Sequence, residues 1–218
     1  MWDMLKSTKI MSTLFEGDLP DHLAIAGSVA IDTETMGLKP ARDRLCLVQL
    51  ATADEQIYLV QFKNIFDAPN LCKILQDPAI CKIFHYARFD MATLYHHLKV
   101  MPENVFCTKI ASMLVRTYTD KHGLKNLIRE VLEVELDKKE QSSDWGADML
   151  TDKQKDYAAT DVKYLHKLWK ILSMRLEREN RMETAKKCFS FLPVRVQLDL
   201  QFGEEFDIFA HIMGRRGD

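Results

Sequence analysis

The chain has 218 residues, 47% of them hydrophobic, with 30 Lys and Arg against 32 Asp and Glu. That size and apolar content suit one domain able to bury its own core. The formal net charge of −2 argues against a long, sequence-blind electrostatic grip on a nucleic-acid duplex, so a polyanionic substrate would have to be met locally. Cys46, Cys72, Cys81, Cys107 and Cys188 form an odd set without a Cys-x-x-Cys pair. This argues against a disulfide framework and fits reduced thiols in the cytoplasm. Asp3, Lys6 and Lys9 interrupt the apolar residues of the first fourteen positions, which therefore lack a signal-peptide core. No apolar run is long enough to span a bilayer.

In chain order, residues 1–14 read as a loosely attached leader, and Phe15 to Ala26 as a segment with a short strand and a turn around Gly17-Asp18-Leu19-Pro20. Val29-Ala30-Ile31-Asp32-Thr33-Glu34 is a β-branched run ending in two acids. Leu45 to Ala51 and Gln56 to Val60 are two more strands across the polar turn at 52–55, so three successive strands predict an antiparallel meander. The rhythm then alternates: a helix at 70–76, a strand at 81–84, a helix at 87–98, a strand near Val105 and a helix at 108–115. Such alternation predicts parallel strands joined by helices. Beyond Gly123 the pattern is almost wholly helical. A single domain over 15–211, a short tail at 212–218, and a mixed α/β sheet flanked by helices follow.

Three sites stand out. In a strand, residues i and i+2 share a face, so Asp32 and Glu34 present paired carboxylates suited to a divalent cation, although acids are also common where strands exit into turns. Asp90 falls in the first turn of the helix at 87–98, where an acid also complements the helix dipole. His96 and His97 are helix neighbours that cannot share a face and read as solvated rather than as ligands. Ala158, Val162, Leu165, Trp169, Leu172 and Leu176 make a core-facing stripe, with Tyr157 and Asp161 one turn apart beside it. That places a phenol, able to orient or deprotonate a water, next to another carboxylate.

The joint order of these sites resembles the DEDD exonuclease superfamily, in its tyrosine-marked subclass. Ile31-Asp32-Thr33-Glu34-Thr35, Phe84-His85, Phe89-Asp90, Gly123-Leu124-Lys125-Asn126-Leu127, Ser143-Asp144-Trp145 and Tyr157-Ala158-Ala159-Thr160-Asp161-Val162 look like ribonuclease D. The compact nanoRNase C group is the more similar branch, from about Phe15 to His211, including Phe206-Asp207-Ile208-Phe209-Ala210-His211. The resemblance implies a ribonuclease H-like fold and a 3′ to 5′ exoribonuclease that uses two Mg²⁺ or Mn²⁺ ions about 4 Å apart. It implies metal ligation by Asp32, Glu34, Asp90 and Asp161: Asp32 bridging, Glu34 and Asp161 on the nucleophile side, Asp90 on the other ion. Tyr157 would hold the attacking water.

Expected substrate contacts are Thr33, Leu38, His85, Tyr86 and Gln141. Leu38 is either a wedge between terminal bases or a turn residue packed on the core. Tyr86 stands where many relatives have Asn, so a stack replaces an amide contact. Lys138, Lys139, Gln141 and Ser142 either touch phosphates or form a solvated face, and Arg116 to His122 either meets a nucleotide or caps the next helix. The implied substrate is short RNA, dinucleotides above all, and the implied assembly is a homo-oligomer, an octamer in that group. Phe189, Phe191, Leu192, Phe202, Phe206, Ile208 and Phe209 could supply its interface or fold back on the core. Two rivals stay open: ribonuclease D-like trimming of longer RNA or tRNA ends, and a non-catalytic module that binds nucleic-acid ends.

Overall fold

The computed structural model describes residues 11–136 and 143–210. Most of the expected leader, the segment with Gln141, and the tail lie outside the described residues. Six strands form one sheet in the order β1-β4-β3-β2-β5-β6. They are β1 (Thr13–Glu16), β2 (Ser28–Thr35), β3 (Leu45–Thr52), β4 (Ile57–Gln61), β5 (Cys81–Phe84) and β6 (Val105–Cys107). The meander is present: β2 pairs antiparallel with β3 and β3 antiparallel with β4. β5 adds parallel to β2, and β6 parallel to β5.

β1 takes in the last two residues of the expected leader and pairs parallel with β4 at the sheet edge. Its partner lies more than forty residues away, from Thr13 to Tyr58, so local pattern alone does not place it. The helices are α1 (Pro69–Gln76), α2 (Ala87–Leu98), α3 (Thr108–Val115), α4 (Leu124–Leu132), α5 (Asp152–Lys163), α6 (Leu165–Arg178) and α7 (Met182–Phe202). The expected single stripe over 158–176 is therefore split at Tyr164 into α5 and α6. Past the break the buried positions are Leu165, Leu168, Leu172 and Leu176, while Trp169 is half-buried.

Alternation along β2 sends Asp32 and Glu34 to one face and Thr33 to the other. α5 covers the Asp32 face and α2 the Thr33 face, so the sheet is sandwiched, as the buried apolar residues on both faces of its central strands require. His97 corrects an expectation: it is half-buried, its Nδ1–H donating to the Thr93 carbonyl (3.0 Å) and its Nε2 accepting from the Leu45 N–H (3.2 Å). The ring thus ties α2 to the start of β3. Only one of two adjacent helix positions can point inward, and here it is His97.

Arg116 is fully buried. It donates to Ser112 Oγ (2.9 Å) and the Lys121 carbonyl (3.0 Å) and pairs with Glu130, so the 116–122 stretch braces the loop into α4. At the other end, Asp199 of α7 receives Arg88 from α2 at 2.5 Å and Arg195 at 2.7 Å. Asp199 is 9% exposed, so its loss strands two cations in a poorly solvated place. Asp199→Ala is expected to cost about 2–4 kcal/mol in urea unfolding, more than Asp120→Ala on the exposed loop.

Candidate active site

The site forms where β2 ends beneath α5. One carboxylate oxygen each from Asp32, Glu34 and Asp161 lie within 4.8 Å of one another. α5 is anchored by a capping box: Thr151 Oγ1 accepts from the Gln154 N–H (3.2 Å) and Gln154 Oε1 accepts from the Thr151 N–H (2.9 Å). Gln154 Nε2 also donates to the Asp144 carbonyl (2.9 Å), fixing the Ser143-Asp144-Trp145 segment against the helix. Trp145 is buried and packs on the Tyr157 ring, centroids 6.0 Å apart. Tyr157 and Asp161 are one turn apart on α5, close enough for each to shift the titration of the other.

Asp90 lies outside the three-acid cluster but is charge-coupled to it. It is buried, and Thr33 Oγ1 donates to its Oδ1 at 2.7 Å. The Thr33 hydroxyl thus spends its proton on bracing Asp90 and keeps only its lone pairs for any other partner.

Burial pushes the Asp32 carboxyl up to about 7. Glu34 is raised by burial and then by the charges of Asp32, Asp161 and Asp90, and Asp90 and Asp161 by burial and then by Asp32. The Tyr157 phenol is raised by burial and by Asp161, so it is a neutral donor at every ordinary pH. Four acids held together against their own repulsion match hard oxygen-seeking divalent cations, whose charge offsets both the burial and the crowding.

A pH signature follows. Acids raised in the folded state favour folding while protonated, a contribution complete below their unfolded value near 4 and lost as pH rises through about 7. Metal-free Asp32→Asn is expected to gain in melting temperature over the parent as pH goes from 4 to 8, by several degrees at the upper end. Thermal scans at both ends of that range check it, and added Mg²⁺ should shrink the gap by stabilising the parent.

Around the acids, Leu38 is 82% exposed, which rules out core packing for it. It sits on a turn held by Asp43, which accepts from the Lys39 N–H at 2.9 Å. A Cβ on Gly37 would lie 2.2 Å from an Asp43 carboxylate oxygen, so any other residue would have to push Asp43 off its bonds to Lys39 and Arg42. Leu38 and Tyr86 line a groove of about 540 Å³ with Arg88, Phe89, Leu200 and Glu204. Tyr86 is 40% exposed, and Lys109 Nζ lies 3.8 Å from its ring centroid. A larger groove, about 800 Å³ along β6 and α7, contains none of the acids.

His85 is buried. Its Nδ1 meets Thr108 Oγ1 at 2.9 Å, its Nε2 has no partner, and burial followed by the charge of Lys109 lowers it to about 3. Gln141 lies outside the described residues. Sequence reasoning missed Gln49, opposite Asp32 and fully buried, and the Arg88–Asp199 pair that closes the groove. Gln49 was findable as the one polar residue inside the apolar run Leu45 to Ala51.

An α/β sheet that gathers acids at the end of its second strand, beside a tyrosine, defines a metal-dependent nuclease class. Residues 14–177 match the 3′-5′ exonuclease family, and the chain belongs to it. Ribonuclease D of Gluconacetobacter diazotrophicus is 36% identical over 155 residues, 71% of this chain and 39% of that protein. This chain thus spans about two fifths of the length of such curated relatives. Brucella melitensis NrnC, solved with Mg²⁺ and with pGG, is 50% and 51% identical, with TM-scores of 0.87 and 0.86. In both comparisons 92% of this chain and all of that one are covered. Escherichia coli RNase D is 27% identical, with a TM-score of 0.70 over 79% of this chain and 45% of that one. Within the 3′-5′ exonucleases the chain is similar to NrnC over nearly its whole length.

Proposed function

We propose that this protein is a metal-dependent 3′ to 5′ exoribonuclease that hydrolyses short RNA, dinucleotides above all, to nucleoside 5′-monophosphates. The observation that carries the reading is the meeting of Asp32, Glu34 and Asp161 within 4.8 Å, beside Tyr157. A module that only bound RNA ends would gain nothing from crowded carboxylates facing a polyanion.

Asp32, Glu34 and Asp161 would hold one divalent cation, and Asp32 with Asp90 a second. Two such ions, when bound, supply the positive charge that offsets charge developing at the phosphorus and on the leaving oxygen. The Tyr157 hydroxyl orients the attacking water in line with the scissile bond, and Asp161 fixes the direction of that hydroxyl. Thr33 holds Asp90 in place. Leu38 and Tyr86 offer an aliphatic edge and an aromatic face to the terminal bases, and a base stacked on an aromatic ring is worth about 1–3 kcal/mol. His85, neutral and with a free Nε2, is suited to a hydrogen bond with the sugar end.

The bound pGG of Brucella NrnC supports the dinucleotide preference. A homo-oligomer, an octamer by analogy with that group, is part of the reading. Of the residues that could supply its interface, Phe189 and Leu192 are buried in the core, whereas Phe202, Ile208 and Phe209 are 59%, 48% and 77% exposed and available to a second copy. Among the described residues no helix is long and apolar enough to cross a membrane, and five free cysteines suit the reducing cytoplasm.

Substrate length is tested by comparing rates on pGpG and on a seven-nucleotide RNA, with light scattering on the same sample. The expected results are a dinucleotide cut at least tenfold faster and a mass several times 25.3 kDa. Equal rates from a monomer would favour ribonuclease D-like trimming of longer ends.

A further inference from the structure

β3 is apolar from Leu45 to Ala51 except at Gln49. Gln49 is fully buried, and neither Nε2 nor Oε1 has a hydrogen-bond partner. An unpaired buried polar group costs about 1–3 kcal/mol, and an apolar residue of the same volume would avoid that cost. A position that keeps its amide under that penalty invites a reason.

Its register supplies one. Gln49 is opposite Asp32 on β2 and opposite Leu59 on β4. Directly opposed residues project to the same face, with Cβ atoms about 4.5–5.5 Å apart. That face is the one on which Asp32 and Glu34 meet Asp161. Of the two cross-strand neighbours, only Asp32 offers a polar side chain to the amide.

We propose that Gln49 is a positioning residue of the metal site, donating its Nε2–H to the Asp32 carboxylate in the cation-loaded state. This rests on the metal-dependent reading above. Carboxylates that ligate cations are themselves held by hydrogen bonds, and loss of such a support typically costs 10–100-fold in affinity or activity. An amide suits the task better than Lys or Arg, because it orients the carboxylate without adding a positive charge that competes with the cation. It also leaves the second Asp32 oxygen available for ligation.

The test is calorimetric Mg²⁺ titration of the full chain, parent and Gln49→Met, with metal-free melting curves and steady-state kinetics. Gln49→Met should melt at or above the parent when metal-free, bind Mg²⁺ at least tenfold more weakly, and keep the parent's KM for RNA at saturating Mg²⁺. Gln49→Leu serves in the same way if Met packs badly. Mg²⁺ affinity within twofold of the parent in a folded variant overturns the role of Gln49. If the parent itself binds no Mg²⁺, or binds it equally well after Asp32→Asn, the metal-dependent reading fails instead.

Discussion

Asp161→Ala is expected to abolish RNA hydrolysis, by about a thousandfold or more, while the folded protein persists and melts higher without metal. Charge stabilisation by a correctly ligated cation is worth several kcal/mol, and each 1.36 kcal/mol is a factor of ten in rate. Asp161 is raised by burial and by Asp32, so it is a source of repulsion in the metal-free protein. Removing it relieves Asp32 and Glu34 at once, and thermal scans in EDTA should record the gain. Its place on α5 risks little structurally, because the core contacts of that helix come from Ala158, Ala159 and Val162. Full activity in this variant would sink the assignment of the site.

Tyr157→Phe keeps the ring against Trp145 and deletes only the hydroxyl. A group that orients a reacting water acts in the transition state, so the loss should fall on kcat, by about 10²–10⁴-fold, with KM nearly unchanged. The phenol is raised by burial and by Asp161, so it acts as a neutral donor rather than as a base. The kcat profile of the parent between pH 6 and 9 should therefore show no limb belonging to the tyrosine. An unchanged kcat with a raised KM would make Tyr157 a substrate-binding residue instead.

Both tests rest on residues that sequence pattern alone could place. The twofold alternation of a strand puts Asp32 and Glu34 side by side, and the one-turn spacing of Tyr157 and Asp161 puts phenol and carboxylate together. The bounds of β5, α2 and α3 were legible as well, because each begins or ends where a run of one period gives way to another. What escaped depended on partners far along the chain. A short strand was expected in the segment starting at Phe15, but its start at Thr13 and its parallel pairing with β4 were not legible, because the partner lies more than forty residues away. The break at Tyr164 has neither Pro nor Gly to mark it, and the buried stripe simply moves from Trp169 to Leu168. That Thr33 also braces Asp90 could not be read from sequence, because the bond joins residues 57 positions apart. The orphaned amide of Gln49 becomes meaningful only once its cross-strand neighbour is known to be Asp32.

Under the proposed function, the groove lined by Leu38 and Tyr86 would supply selectivity that the acids do not provide. Leu38 is held outward by the Gly37 turn, Tyr86 stands at the start of α2, and the end of α7 is drawn against both by Arg88 and Asp199. Glu204 and Glu205 line the same groove with Lys39 and with Arg88, whose charge is taken up by Asp199, and on that reading the two glutamates would disfavour additional phosphates.

Product analysis on the trinucleotide pApGpU, with excess protein in Mg²⁺ and in EDTA, tests the central claim most directly. The account predicts UMP and pApG at the earliest times, then GMP and AMP, and no reaction in EDTA. Release of AMP first, a nucleoside 3′-phosphate product, or hydrolysis that survives chelation would contradict it.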